Sequence, residues 1–226
     1  VTAPATALPL AFDPLLPVVV QDHVTGEVRM LAWATEEAVR ATLATGRATF
    51  FSRSRGELWV KGQTSGHTLE VVSVLVDCDA DALVYLVVPH GPTCHTGAPS
   101  CFFRRLTPEG ALDEAASAPT LLARLDAVLL ARRAATAEKS YAKSLYDGGP
   151  AKIGEKLREE ADELARAVAS EADDRVASEA ADVLFHVMVA LRSRGLGVEA
   201  VLRELERRAG TGGHEEKKRR PPKGVV

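Results

Sequence analysis

Residues 107–119 read Thr107-Pro-Glu-Gly-Ala-Leu-Asp-Glu-Ala-Ala-Ser-Ala-Pro119, and the chain changes character across them. Pro, Gly and small polar residues punctuate the stretch, which is the composition of a connection rather than of a periodic element. Ahead of it lie eight of the 11 aromatic residues and all three cysteines. Behind it the chain is rich in Ala and charge, which suits helices. The reading is therefore two domains: residues 1–108, a linker over 109–119, a second domain over 120–209, and a basic tail over 210–226.

On the N-terminal side the pattern is that of strands. Val18–Gln21 and Val28–Trp33 flank the turn signal His23-Val-Thr-Gly26. A helix follows, with Thr35 as N-cap, Glu36 and Glu37 in its first turn and Gly46 at its end. Ala48–Ser52, Leu58–Lys61, Leu69–Asp77 and Ala82–Val88 are rich in Val and aromatics and read as further strands. The expectation is a mostly antiparallel β domain of the α+β class.

On the C-terminal side the expectation is an all-α domain. A helix from Leu121 through Leu130 continues toward Tyr146 and breaks at Asp147-Gly-Gly-Pro150. Lys152–Ser170 follows, with Leu157, Ala161, Leu164 and Val168 as one apolar stripe at helical spacing. Val176–Arg194, the turn Gly195-Leu-Gly197 and Val198–Arg208 complete it. The tail carries Lys217-Lys-Arg-Arg-Pro-Pro222 and reads as disordered, solvated charge.

The whole chain has 226 residues, 46% hydrophobic and 26% charged, which excludes collagen, a disulfide-stapled miniprotein and a wholly disordered protein. A formal charge of −3 argues against a general nucleic-acid binder. No run approaches the ~18 apolar residues of a membrane span. No Lys or Arg precedes Arg29, so a signal peptide's basic start is not expected. Three cysteines is an odd number, which suits a reducing compartment and thiols kept for metal or chemistry. The expected location is the cytoplasm.

The densest chemical signal is Asp77-Cys-Asp-Ala-Asp81, followed by Cys94-His-Thr-Gly97 and Cys101. Three thiols without an obvious fourth ligand suit an open Zn²⁺ site, in which water completes the coordination. The competing reading is three buried, inert cysteines. Asp77, Asp79 and Asp81 alternate, so in an extended segment they share one face and could hold Mg²⁺; an acidic strand end is the bland alternative. Cys78 would then point to the other face. His95 could act as general base, and His67 is a second candidate, each competing with a structural role. Arg53 and Arg55 in Ser52-Arg-Ser-Arg55, and Lys61, Thr64 and Ser65 in Lys61-Gly-Gln-Thr-Ser-Gly66, could hold phosphate. Trp33 and Trp59 could stack on a base, although core packing is the simpler role.

In the second half, Glu159, Glu160 and Glu163 crowd one helix, and Glu179 and Asp182 sit three apart on the next. Spacing of i, i+3 puts each set on one side of its helix. Asp182 lies in an otherwise apolar helix, where a carboxylate is costly unless paired or metal-bound. Facing acidic helices can hold Mg²⁺ for phosphoanhydride hydrolysis; exposed charge with an ion pair is the alternative. Lys152 and Lys156 could reach phosphates.

These residues carry a resemblance. Residues from about Leu16 to Arg104 resemble phosphoribosyl-AMP cyclohydrolase. The matching stretches are Val20-Gln-Asp22, Gly26-Glu-Val-Arg-Met-Leu-Ala-Trp33, Phe51-Ser-Arg-Ser-Arg55, Lys61-Gly-Gln-Thr-Ser-Gly-His67, Asp77-Cys-Asp-Ala-Asp81, Cys94-His-Thr-Gly97 and Ser100-Cys-Phe-Phe103. Residues from about Leu121 to Arg208 resemble phosphoribosyl-ATP pyrophosphohydrolase, a relative of the MazG-type all-α pyrophosphatases. Ser140-Tyr-Ala-Lys143, Glu159-Glu-Ala-Asp-Glu163 and Glu179-Ala-Ala-Asp182 carry that likeness. The order matches the fused enzymes of histidine biosynthesis. Lys156-Leu-Arg158 and Val60 depart from the commoner family residues.

The resemblance implies Zn²⁺ on Cys78, Cys94 and Cys101 across a homodimer interface, and Mg²⁺ on Asp77, Asp79 and Asp81. Nucleotide substrates are expected, held by Arg53, Arg55, Lys61, Thr64, Ser65, His67, Lys152 and Lys156, and no nucleic acid or membrane partner is expected. Mg²⁺ on Glu160, Glu163, Glu179 and Asp182 would serve cleavage of phosphoribosyl-ATP, with Glu163 catalytic. Opening of the adenine ring at N1–C6 would follow in the first domain, with His95 moving the proton. The alternatives are a zinc nucleotide deaminase fused to a house-cleaning NTP pyrophosphatase, and a non-catalytic zinc-structured module on a helical oligomerisation domain. The deaminase motif needs P-C-x-x-C, whereas Cys101 lies too far beyond Cys94.

Overall fold

The computed structural model describes residues 7–113, 120–135 and 140–209. The expected tail and most of the expected linker lie outside them. The chain divides into two compact units, one ending at Thr120 and the other beginning at Leu121.

The first unit is built on a six-stranded sheet. Its strands are β1 (Leu16–Asp22), β2 (Val28–Ala34), β3 (Thr49–Ser52), β4 (Glu57–Val60), β5 (Leu69–Val76) and β6 (Leu83–Pro89), in the order β4-β3-β2-β1-β6-β5. Every neighbouring pair is antiparallel except β1 and β6, which run parallel from Val18↔Leu83 to Asp22↔Val87. The sheet curls, so that β5 reaches the chain just ahead of β3: Val71 N–H donates to the Gly46 carbonyl at 2.7 Å and Ala48 N–H to Leu69 at 3.2 Å. Inside lie Val18, Val20, Phe50, Tyr85 and Val87, all fully buried. Alternate residues of β1 point inward, as a strand with one core-facing side requires.

Helix α1 (Glu36–Thr45) forms where its end signals lie. The Thr35 hydroxyl accepts the Ala38 N–H at 3.2 Å, and Gly46 adopts φ 67° while its N–H returns to the Thr42 carbonyl. A left-handed residue at that point is the reason for glycine. A small hairpin, β7 (Arg105–Leu106) against β8 (Leu112–Asp113), runs into the segment expected as a linker.

The second unit holds α2 (Leu121–Ala134), α3 (Tyr141–Ser170), α4 (Asp173–Ser193) and α5 (Val198–Arg208). The expected helix from Leu121 to Tyr146 is corrected: α2 stops at Ala134 and α3 starts anew at Tyr141. The Ser140 hydroxyl caps α3 by accepting the Lys143 N–H. Asp147-Gly-Gly-Pro150 interrupts helical geometry at a single residue, Gly149, with φ 71° and ψ −172°. Pro150 then opens the resumed helix, where its missing N–H is harmless. The apolar stripe is also corrected. The buried row on α3 is Ile153, Glu160 and Ala167, whereas Val168 is 66% exposed. A buried Asp126–Arg192 ion pair, with Nε to Oδ1 at 2.8 Å, ties α2 to α4. Among the described residues no helix is long and apolar enough to cross a membrane.

Gly149 sits in a region of backbone space that is essentially closed to side-chain-bearing residues. Gly149→Ala is expected to remove ~1–3 kcal/mol from the stability of this unit, read as a lower urea midpoint in the helical circular-dichroism transition.

Candidate functional site

A cleft of about 650 Å³ opens on the first unit. The β3–β4 turn contributes Arg55. The segment between β4 and β5 contributes Lys61, Thr64, Ser65 and His67, and the loop after β6 contributes Cys94, His95 and Cys101. Gly62 makes the middle segment possible: at φ 81°, a Cβ there would lie 2.5 Å from the His67 carbonyl. Lys61 Nζ donates to that same carbonyl at 3.3 Å. Gly91 leaves room for the His67 ring, since a Cβ would stand 2.8 Å from its Cδ2. Arg53 lies outside the cleft lining, with its guanidinium 4.6 Å from the Trp33 ring centroid. Trp59 packs on Phe50 at 5.0 Å and also lines the cleft.

The loop after β6 is tightly turned. Thr93 N–H donates to Pro99 at 3.3 Å, Cys94 N–H to Ala98 at 3.0 Å and Gly97 N–H to Cys94 at 3.1 Å. Cys94 and Cys101 both line the cleft, and Cys101 is among the groups that act on the Cys94 thiol. The Thr96 hydroxyl donates to Cys94 Sγ at 3.1 Å and lowers that thiol below its ordinary pKa. Burial pushes Cys101 up to about 11, and a neighbouring Cys94 thiolate adds to the rise. His95 Nδ1 stands 3.9 Å from Cys94 Sγ. Cys78 is exposed on the turn after β5, and the three sulfurs do not all lie within 4.8 Å of one another. Two adjoining thiols fit a soft or borderline cation; within one copy the third thiol stands apart.

Asp77, Asp79 and Asp81 do come together, their oxygens within 4.8 Å of one another. The expected cause is corrected. β5 ends at Val76, and residues 77–82 form a turn in which Ala80 takes φ 63°. Asp77 Oδ1 accepts the N–H groups of Asp81 and Ala82 at 3.0 and 3.1 Å. The Ala82 N–H leads in lowering the Asp77 pKa, while the contact with Asp77 leads in raising that of Asp81. Three crowded carboxylates suit a hard cation.

In the second unit Glu160, Glu179 and Asp182 converge to within 4.8 Å, the two glutamates being buried. Glu163 lies outside this group, 3.7 Å from Arg166. Lys156 bridges Glu159 at 2.9 Å and Glu160 at 3.1 Å, and both carboxylates raise its pKa. Lys152 pairs with Glu155 at 3.2 Å. Arg175 pairs with Glu179. Three oxygen donors from two helices fit Mg²⁺, which takes carboxylates and keeps water.

Sequence reading passed over the group behind this cluster. His186 is buried, its Nδ1 bonded to the Asp182 carbonyl at 2.8 Å and its Nε2 to the Tyr141 hydroxyl at 2.8 Å. The signal was available: Glu179, Asp182 and His186 lie at i, i+3 and i+7 on one face.

A family model of phosphoribosyl-AMP cyclohydrolase matches residues 30–103, and one of phosphoribosyl-ATP pyrophosphohydrolase matches residues 122–209. The histidine biosynthesis bifunctional protein HisIE of Wolinella succinogenes is 40% identical over 213 residues, covering 92% of this chain and 93% of the relative. Its namesake in Deinococcus radiodurans is 46% identical over 212 residues, covering 92% and 96%. That of Escherichia coli is 40% identical over 196 residues, covering 87% and 92%. With both models matched in order, along a sheet unit and then a helical unit, the chain belongs to the bifunctional histidine-biosynthesis family that joins a phosphoribosyl-AMP cyclohydrolase to a phosphoribosyl-ATP pyrophosphohydrolase.

Proposed function

We propose that the two units run consecutive hydrolyses. The acidic helices cleave phosphoribosyl-ATP to phosphoribosyl-AMP and pyrophosphate, and the thiol-bearing cleft opens the adenine ring of phosphoribosyl-AMP between N1 and C6. The observation that carries this reading is the meeting of Cys94 and Cys101 in a cleft also lined by Arg55, Lys61 and two histidines.

Cys94 and Cys101 of one copy and Cys78 of a second would hold zinc, in a homodimer. Val72, Leu75 and Val76, each about half exposed on the strand leading to Cys78, support a copy-to-copy contact there. When bound, zinc supplies a Lewis acid that lowers the pKa of water toward ~7. The N1 ribosyl group leaves the adenine ring cationic, so C6 accepts a water oxygen and the N1–C6 bond breaks. His95, beside Cys94, takes the water proton and returns one to the departing nitrogen; His67 is the second candidate for that transfer. Arg55, Lys61, Thr64 and Ser65 hold phosphate, with Arg53 at the rim. Asp77, Asp79 and Asp81 would hold magnesium.

In the second unit Glu160, Glu179 and Asp182 would hold magnesium, with Glu163, one helical turn beyond Glu160, as the fourth carboxylate. Magnesium supplies charge neutralisation at the phosphoanhydride and a more acidic water. Glu163 takes the proton of the attacking water, and Lys152 and Lys156 meet the phosphates. Cytoplasmic reducing conditions keep the three thiols available.

The shared thiol site makes a prediction about mixtures. Cys78→Ala and Cys94→Ala proteins are each expected to lose cyclohydrolase activity. Co-refolded in equal amounts, they are expected to regain about one quarter of wild-type activity, since half the dimers are mixed and each carries one intact site. A mixture as inactive as its parents would refute the shared site.

Glu163→Gln is expected to slow pyrophosphate release by roughly 10²–10⁴-fold, the usual contribution of a general base, with the helical content unchanged. Release at the wild-type rate would remove Glu163 from the mechanism.

A further inference from the structure

Arg29 on β2 is held among partners from three segments, with its side chain only 11% exposed. The guanidinium donates to the Asp22 carboxylate at 2.6 Å and to the Pro99 carbonyl at 3.2 Å, and forms an ion pair with Glu27 at 2.9 Å. The Arg29 carbonyl accepts the Cys101 N–H at 2.8 Å. Next to it, the Ser100 hydroxyl donates to the Val28 carbonyl at 2.8 Å. Pro99 is also the residue that closes the thiol loop, since its carbonyl accepts the Thr93 N–H. One arginine thus grips the loop at its closing residue and, through its own main chain, at the second thiol.

The grip is anchored. Asp22 ends β1 with its side chain 2% exposed, and its Oδ1 accepts the N–H groups of Val24 and Thr25 at 2.9 Å each. Burial works to raise its pKa, but the Thr25 N–H, Arg29 and the Val24 N–H outweigh it, and the carboxylate stays below its ordinary range. A strand needs no such network, because a neutral side chain of similar length would fill the same space. Two carboxylates around one guanidinium fix its direction, and that direction is toward the loop.

We propose that Arg29 is a positioning residue of the cyclohydrolase site, which holds Cys94 and Cys101 in the cleft by clamping the loop over residues 93–101 onto β2. The clamp itself rests on geometry alone; its use for holding zinc rests on the function proposed above.

The test uses full-length, chelator-treated protein and iodoacetamide, with the alkylation of each cysteine followed by mass spectrometry. Cys78, on another turn, is the internal reference. In Arg29→Met the rate at Cys94 is expected to rise about tenfold, the order set by loss of a charge-assisted hydrogen bond, while Cys78 keeps its wild-type rate. Arg29→Lys, which retains a donor cation, is expected to fall between the two. Asp22→Asn keeps an acceptor for the turn but removes the anchoring charge; it is expected to show the same selective rise and decides the matter if Arg29→Met does not fold. An unchanged Cys94 rate overturns the clamp. So does an equal rise at all three cysteines, because that reports general loosening. Zinc release to a chromophoric chelator is measured in parallel and is expected to be faster in Arg29→Met. A wild-type chain that takes up no zinc would overturn the zinc reading, while the alkylation ratio would still judge the clamp.

Discussion

Both edges of β1 are bonded, one to β2 and the other to β6, and the chemistry of the first unit depends on that. β2 leaves β1 through a short turn, so its antiparallel placement is a local event. β6 arrives much later in the chain and lies parallel to β1. Its end therefore falls beside the turn that joins β1 to β2. The loop that follows carries Cys94 and Cys101 back to β2, where Arg29 meets it. A parallel neighbour cannot be supplied by a hairpin, so everything between β2 and β6 has to return the chain to the correct side of β1. The curl of the sheet does this, with β5 bonded back to Gly46 and Ala48. The segment bearing Lys61 and His67 then faces the thiol loop across the cleft.

The second unit meets a different constraint, that of like charges under cover. Buried carboxylates are costly unless each has a partner. Glu160 has Lys156 at 3.1 Å and Glu179 has Arg175, so both glutamates are neutralised from their own helices. Asp182 is more exposed, and its backbone rather than its carboxylate is braced, by His186. The arrangement leaves three acidic oxygens converging while each helix stays electrostatically tolerable. Divalent cations compete well for such oxygens, since Lys and Arg can swing away on long stems.

Much of this was legible in the sequence where the signal is local. Thr35 and Gly46 bracket α1 because a hydroxyl cap and a left-handed glycine act within one turn of the residues they serve. The turn signal His23-Val-Thr-Gly26 located β1 and β2 for the same reason. Glu179 and Asp182 were legible because i, i+3 spacing maps directly to a face, but Glu163, at the same spacing from Glu160, lies outside the group. The failures were of another kind. The Asp77–Asp81 carboxylates gather through a turn at Ala80, and alternation cannot distinguish a turn from an extended strand end. The break before Tyr141 hinges on Ser140, one serine among many polar residues, so its capping role is visible only once the helix is. The stripe of Leu157, Ala161, Leu164 and Val168 has sound helical periodicity, yet α4 packs on the row containing Glu160. Periodicity reports an apolar face without saying what covers it. Arg29 was the least legible, because its partners lie as far off as Pro99 and nothing local marks it.

The thiol and carboxylate donor sets separate by hardness, and this bears on how one chain can carry two metal-dependent reactions. On the proposed assignment the thiols favour zinc, because sulfur is a soft donor that magnesium does not accept. The carboxylates favour magnesium less decisively, since zinc also binds oxygen. Selection against zinc at the acidic helices must then come from geometry and metal availability rather than affinity. Three oxygens spread over two helices suit the octahedral, largely hydrated magnesium ion better than tetrahedral zinc. The sharper demand falls on the thiol site, where two sulfurs from one loop have to stay together while a third arrives from elsewhere. That makes rigidity of the loop, more than affinity of any single sulfur, the quantity that determines whether the site is ready when the third ligand arrives.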